Sequence, residues 1–251
     1  MPEGTLLAQN HRIAMLIDGD NAQPALVEKM LIEASKYGTV IVRRIYGDWT
    51  NTTLNGWKKA LPGHAIQPIQ QFQYTVGKNS TDSALIIDAM DLLHQGVADC
   101  FCLVSSDSDY TRLATRIRES GSFVIGIGKK TTPQPFVAAC DVFTYTENLS
   151  VDPKADKPAK PSKVVEAEDT SETHAELDPL PLLAKAFEIT VQENGWATLS
   201  SLGSALRQLD PGFDPRTYGY SQLGKLLRAY PHLFEIDDTV TYVRVEESTT
   251  N

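Results

Sequence analysis

Short apolar runs alternate with amphipathic stretches along residues 13–150. Near-continuous apolar runs are typical of strands covered on both faces. They predict five strands: IAMLID (13–18), VIVRRIY (40–46), AIQPIQQF (65–72), CFCLVS (100–105) and FVIGIG (123–128). Helical spacing predicts three helices between these strands, over residues 24–37, 81–96 and 110–120. The alternation predicts an α/β fold, with a mainly parallel sheet flanked by helices.

The pattern changes after the first domain. Residues 150–178 are rich in Pro, Lys and acidic residues and poor in large apolar ones, which predicts a disordered linker. Helical patterns follow over 179–195, 199–209 and 220–230, and two short strands are predicted within 232–246 around Asp237 and Asp238. Three helices and a hairpin predict a small winged-helix domain. We therefore expect domains at 1–149 and 179–247.

Charge and composition narrow the classes of function. The chain has 251 residues and a net charge of −9. This charge argues against a protein that binds nucleic acid mainly through its overall positive charge. The charge is −2 over residues 1–150, −4 over 151–178 and −3 over 179–251. If the first domain holds an acidic site, the rest of its surface is near neutral, so nucleic acid stays open as a partner.

The chain also carries features that bear on its compartment. Its start lacks a basic region followed by a long apolar stretch, and no segment has the apolar length of a membrane span. Its three cysteines form no CxxC pair, and we expect all three to be reduced core residues. We therefore expect a cytoplasmic protein with no membrane partner.

Three acidic residues are predicted to meet at one edge of the sheet. Asp18 and Asp107 each close a predicted strand, and Asp82 lies in the first turn of the second predicted helix. Ligands of parallel α/β sheets bind beyond the carboxyl ends of the strands. Asp82 heads the apolar stripe of its helix, whereas Asp88 and Asp91 are predicted to face solvent. Converging carboxylates repel one another unless a cation neutralises them.

Each acid alone has an ordinary structural alternative. Asp18 fits a turn, Asp82 fits the positive end of a helix dipole, and Asp107 and Asp109 fit helix caps. Together, however, they form an all-oxygen ligand set, which selects Mg²⁺ or Mn²⁺. Such an ion supports phosphodiester hydrolysis by lowering the pKa of a bound water and by stabilising charge on the phosphate.

Polar residues beside the acids are candidates for substrate contacts. Asn21, Ser106 and Lys78 flank the three acids in sequence and are placed to orient water or to contact phosphate. For Lys78, an ordinary loop charge is an equal alternative.

Three segments of the first domain resemble the motifs of a known family. IDGDN (17–21), GKNSTDSALIIDAM (77–90) and LVSSDSDYTRL (103–113) resemble the motifs of the NYN domain, a PIN-like nuclease fold also described as the LabA/DUF88 group. The resemblance covers residues 12–147 and implies a Rossmann-like fold and metal-dependent RNA cleavage. It implies that Asp18, Asp82 and Asp107 bind the metal, with Asp109 as a further catalytic acid and Asn21 and Ser106 in support.

A second segment resembles a domain often found beside NYN domains. DPGFDPRTYGYSQLGKLLRAYPHLFEI (210–236) resembles the OST-HTH or LOTUS winged helix. The resemblance implies binding of RNA, including G-rich RNA, and in some members of protein partners such as helicases. The candidate RNA-binding residues are Arg216, Tyr218, Tyr220, Lys225 and Arg228. In the alternative, Tyr218 is a core residue and the cations lie on an ordinary solvated helix face.

These observations favour a metal-dependent ribonuclease that cuts single-stranded RNA, with a winged-helix domain that binds the RNA or a partner. Two alternatives remain at this point. The first is a catalytically silent RNA-binding adaptor, and the second is a small-molecule phosphatase, suggested by the paired acids of IDGDN.

Overall fold

The computed structural model describes residues 10–72, 80–150, 178–237 and 242–245. Lys78, Asp238 and residues 151–177, which hold most of the predicted linker, lie outside the described residues. The chain divides into two compact units, residues 1–150 and residues 151–251. Each unit is described by itself below.

The first unit contains a six-stranded sheet in which all neighbouring strands pair in parallel. Its strands are β1 (His11–Asp18), β2 (Gly38–Gly47), β3 (Gln67–Gln70), β4 (Cys100–Val104), β5 (Phe123–Gly128) and β6 (Val142–Tyr145). Their spatial order is β3-β2-β1-β4-β5-β6. The predicted parallel sheet is confirmed, and β6 is an additional strand.

Helices cover both faces of this sheet. They are α1 (Val27–Ser35), α2 (Asn55–His64), α3 (Ser80–His94), α4 (Thr111–Glu119), α5 (Gln134–Ala139) and α6 (Thr146–Ser150). Strand β1 supplies side chains to two separate core clusters, with Ala14 and Leu16 in one and Ile13, Met15 and Ile17 in the other. This alternation shows that β1 is covered on both faces, as its near-continuous apolar run predicts.

Helix α3 corrects one expectation from the sequence. The predicted solvent position is right for Asp91, which is exposed, but wrong for Asp88. Asp88 Oδ1 lies 2.5 Å from Arg44 Nη1, and Asp88 Oδ2 accepts a hydrogen bond from the hydroxyl of the fully buried Tyr46. Arg44 and Tyr46 both lie on β2, so Asp88 fastens α3 to that strand.

The three cysteines are free and buried, as predicted. Cys100 and Cys102 lie on β4, and Cys140 directly follows α5. Burial raises the pKa of the Cys100 thiol to about 12 and also raises that of Cys102 and Cys140. All three therefore act as small apolar side chains of the core.

The second unit combines three helices with a small antiparallel sheet. Its helices are α7 (Leu180–Thr190), α8 (Leu199–Leu209) and α9 (Leu223–Arg228), and its strands are β7 (Ala197–Thr198), β8 (Phe234–Ile236) and β9 (Tyr242–Val245). The strand order is β7-β9-β8, so the predicted hairpin gains β7 as a third strand. Across the described parts of both units, no helix has the length and apolar character needed to cross a bilayer.

We predict that Asp88→Ala destabilises the first unit by about 2–4 kcal/mol, because it leaves the Tyr46 hydroxyl and the Arg44 guanidinium without their carboxylate partner. Asp91→Ala on the exposed side of the same helix is the matched control and changes stability by less than about 0.5 kcal/mol. Urea denaturation followed by circular dichroism measures both. Equal effects of the two substitutions would contradict the assigned role of Asp88.

Candidate active site

The acidic residues lie where the strand order reverses. Strand β1 pairs with β2 on one side and with β4 on the other, so the chain leaves β1 and β4 in opposite directions along the sheet. Such a switch point opens a crevice at the carboxyl ends of the two strands. Asp18 ends β1, and Ile17 pairs with Val104, the last residue of β4. The loops that carry Asp18 and Asp107 therefore flank this crevice.

A glycine allows the loop after β1 to pass close to β2. The Gly19 amide donates to the carbonyl of Tyr46 at 2.9 Å. A Cβ atom at position 19 would lie 2.7 Å from that same carbonyl oxygen, closer than real Cβ contacts allow. The glycine of IDGDN thus has a steric function next to the first acid.

Asp18 is a buried anchor between two loops. Its side chain accepts hydrogen bonds from the Asp20 amide at 3.1 Å, from Asn21 Nδ2 at 2.7 Å and from the Ser105 hydroxyl at 2.9 Å. Burial raises the pKa of the Asp18 carboxyl, and these hydrogen bonds oppose that rise. Because Ser105 follows β4, Asp18 ties the loop after β1 to the loop after β4.

Three other carboxylates form a compact group. Asp82, Asp107 and Asp109 each offer an oxygen, and these oxygens all lie within 4.8 Å of one another. Asp107 and Asp109 belong to a capped turn, in which Asp107 accepts from the Asp109 amide at 2.9 Å. The capping alternative is therefore correct for Asp107, yet the cap also holds its carboxylate beside that of Asp82.

The electrostatics of this triplet suit a cation. Burial raises the pKa of Asp82, and the charges of Asp18, Asp107 and Asp109 raise it further, against the hydrogen bond that the Tyr110 hydroxyl donates at 2.7 Å. Oxygen donors at this spacing fit a hard divalent ion such as Mg²⁺ or Mn²⁺. The predicted metal ligands included Asp18, whereas the observed triplet contains Asp109 in its place. A direct ligand role for Asp18 therefore stays a prediction.

Two further acids, Asp20 and Asp48, lie near this edge and were not among the site residues predicted from the sequence. Burial raises the pKa of Asp20, and the charges of Asp82 and Asp48 add to the rise. Asp20 follows β1 and Asp48 follows β2. The signal was available for Asp48, because it directly follows an apolar strand, as Asp18 ends one.

The predicted substrate residues have structural partners. Asn21 donates to Asp18, and the Ser106 hydroxyl accepts from the Lys129 amide at 2.9 Å. Lys78 lies outside the described residues. Lys129 and Lys130 follow β5 at the same edge of the sheet and are cations that the sequence analysis missed. Roles of Asn21, Ser106 and Lys78 in substrate binding stay predictions.

In the second unit, the five predicted RNA-binding residues occupy different environments. Arg216 pairs with Asp214, with Nη2 and Oδ2 2.6 Å apart. Tyr218 and Tyr220 pack against the core of this unit, as the alternative for Tyr218 held. On α9, Lys225 is half-buried and Arg228 is exposed.

Comparison with known proteins agrees with this architecture. Residues 12–149 match the NYN domain, and residues 177–245 match the OST-HTH/LOTUS domain. No curated protein shows significant similarity to the chain.

Solved structures also match parts of the chain. A crystal structure of a protein of unknown function from Vibrio parahaemolyticus is 20% identical, with a TM-score of 0.46, and the match covers 55% of this chain and 94% of that one. A solution NMR structure of an uncharacterized protein from Nitrosomonas europaea is 27% identical, with a TM-score of 0.26, and the match covers 40% of this chain and 97% of that one.

The parallel sheet, the acids at its switch point and the extent of the family match agree with one another. The chain belongs to the NYN domain family, a group of PIN-like nucleases, and it carries an OST-HTH/LOTUS domain after the NYN domain.

Proposed function

We propose that the protein is a metal-dependent ribonuclease that hydrolyses phosphodiester bonds of single-stranded RNA. The observation that carries the proposal is the carboxylate triplet of Asp82, Asp107 and Asp109 at the sheet's switch point. Helix α3 and the loop after β4 bring three carboxylates together, and their mutual repulsion destabilises the folded protein. A bound cation would offset this repulsion.

The residues of the site divide into two roles. Asp82, Asp107 and Asp109 would hold Mg²⁺ or Mn²⁺, which, when bound, supplies an activated water and stabilises charge on the phosphate. Tyr110 fixes the orientation of Asp82 through its 2.7 Å hydrogen bond. Asp18 holds Ser105, whose hydroxyl in turn accepts from the Asp107 amide at 3.1 Å, so the buried acid positions the half-buried Asp107.

The second unit would bind the RNA or a protein partner. Its exposed and half-buried cations on α9 offer phosphate contacts, and tethering to the first domain raises the local concentration of RNA near the acids. Free, buried cysteines suit a reducing compartment such as the cytoplasm, where we place the reaction.

We predict that Asp107→Asn lowers cleavage of a labelled single-stranded RNA in Mn²⁺ by about a hundredfold or more, because it removes one carboxylate from the triplet. Asp91→Asn, which removes an exposed acid from α3, is the control and keeps full activity. Gel analysis of the products with and without EDTA measures the loss. Cleavage that resists EDTA would contradict the proposal, and tight RNA binding without cleavage by the parent protein would favour the adaptor.

We predict that Mn²⁺ raises the melting temperature of the parent protein, by the equivalent of about 2.7 kcal/mol at a hundredfold excess over its Kd. Asp82→Asn abolishes this shift and raises the melting temperature of the metal-free protein, because it removes one member of a repelling group. The variant keeps an oxygen that can accept from Tyr110. Differential scanning fluorimetry measures both effects, and an unchanged Mn²⁺ shift in Asp82→Asn would exclude Asp82 as a ligand.

We predict that Arg228→Ala weakens RNA binding and lowers the slope of log K against log salt concentration by about 1, as loss of one phosphate contact requires. Arg207→Ala, which removes an exposed cation from α8, is the control and leaves the slope unchanged. Fluorescence anisotropy at several salt concentrations measures the slope. Equal slopes for both variants would mean that α9 does not face the RNA.

A further inference from the structure

An apolar groove of about 600 Å³ lies beside strand β3, at the edge of the sheet. Its apolar walls come from the segment after β2, from helix α2 and from the chain around β3: Trp49, Leu61, Pro62, Ile66 and Pro68. Lys58, an exposed cation on α2, stands at its rim. The proposed chemistry at the acids makes no use of this groove.

The aromatic wall of the groove is fixed in position. Trp49 Nε1 donates to the carbonyl of Ile69 at 2.9 Å, and the Trp49 amide donates to Gln70 Oε1 at the same distance. These two bonds hold the indole against β3 from both its ring and its backbone. A half-buried ring held in this way offers a preformed stacking surface and loses little freedom when a ligand binds.

One end of the groove lies at the edge of the sheet where the strands end, because Trp49 follows β2 and Gln70 ends β3. Gln70, which receives the Trp49 amide, donates through Nε2 to Asp48 Oδ1 at 2.9 Å. Besides burial, the charges of both Asp48 and Asp82 raise the pKa of Asp20, which follows β1 at this edge. Trp49 follows β2, which lies two strands from β4 in the sheet, and the loop after β4 carries Asp107 and Asp109. Since neighbouring strands lie about 4.8 Å apart, the Trp49 end of the groove lies roughly 10 Å along the sheet from that loop.

We propose that this groove is a base subsite for single-stranded RNA, in which one base stacks on Trp49 while Lys58 contacts the adjoining phosphate. The proposal rests on the proposed function, since it names how that substrate is held. Proteins that bind single strands combine aromatic stacking surfaces with cations that track the backbone, and the groove supplies one of each in Trp49 and Lys58.

A proline-rich peptide is a poorer occupant. Grooves for such peptides are lined by aromatic residues, and in this groove Trp49 is the one aromatic residue among those that line it. Its indole N–H, which would donate to a peptide carbonyl, is already bonded to Ile69. An apolar groove with one aromatic residue in its wall and a cation at its rim therefore matches a base and its phosphate better.

The test compares Trp49→Leu, which keeps an apolar side chain and loses the aromatic face, with Trp49→Phe, which keeps an aromatic face. Both are made in full-length Asp107→Asn protein, and the Kd of fluorescein-labelled oligouridine is measured by anisotropy. We expect Trp49→Leu to weaken binding about 5- to 150-fold, the range measured for loss of one stacked base, and Trp49→Phe to restore most of it.

A second arm locates the base. In this arm Asp107 is retained. Oligonucleotides that carry one abasic nucleotide, at a different position in each, are incubated with the unsubstituted protein and with the Trp49→Leu variant, and their cleavage is compared. We expect one position, fixed relative to the cut, at which the abasic substrate reacts poorly with the parent and equally poorly with the variant.

The outcomes separate this subsite from the nuclease proposal. If Trp49→Leu binds RNA as tightly as the Asp107→Asn protein in which it is made, the subsite proposal is wrong and the nuclease proposal is unaffected. Weakened binding by Trp49→Leu, together with no RNA cleavage by the protein that retains Asp107, supports the subsite and overturns the nuclease. Binding of a fluorescein-labelled proline-rich peptide that is lost in Trp49→Leu, with RNA affinity unchanged, overturns the subsite in favour of the peptide.

Discussion

The buried carboxylate of Asp18 is the contact on which the site depends. Two loops leave the sheet at the switch point between β1 and β4, and Asp18 joins them through Asn21 and Ser105. Burying a carboxylate is costly unless hydrogen bonds satisfy it, and here three do so. The same network places the loop of Asp107 and Asp109, so these two acids take their positions from a residue that solvent barely reaches.

Helix α3 completes the site from the other side. Asp82, in the first turn of α3, lies close to Asp107 and Asp109 in the loop after β4. Asp88 holds the same helix to β2 through Arg44 and Tyr46. One acid on α3 thus belongs to the carboxylate triplet, and another attaches the helix to the sheet. The two are six residues apart on a single helix, and their different neighbours give them different surroundings.

Much of the first domain followed from the sequence, because near-continuous apolar strands and their intervening helices are local patterns. Helix α2 was missed because it contains Gly56, Pro62 and Gly63, which are poor helix formers. Strand β6 was missed because four residues are too few for a clear period. In both cases tertiary packing decided the structure.

The site was predictable only in part, because its details also depend on tertiary structure. Residues at strand ends could be placed at one edge by topology alone, which identified Asp18, Asp82 and Asp107. Which oxygens group together depends on loop geometry, so the inclusion of Asp109 in the triplet required coordinates. The attachment of Asp88 likewise depends on Arg44 and Tyr46, which lie more than forty residues earlier in the chain.

The buried cysteines of the first domain have a consequence for how the protein withstands oxidants. The thiolate is the form that reacts with peroxide or alkylating reagents, and burial in the core disfavours that form at Cys100, Cys102 and Cys140. These sulfurs stay unreactive for as long as the strands remain packed. Their modification therefore requires the core to open first, which makes thiol accessibility an internal gauge of the integrity of the nuclease-like domain.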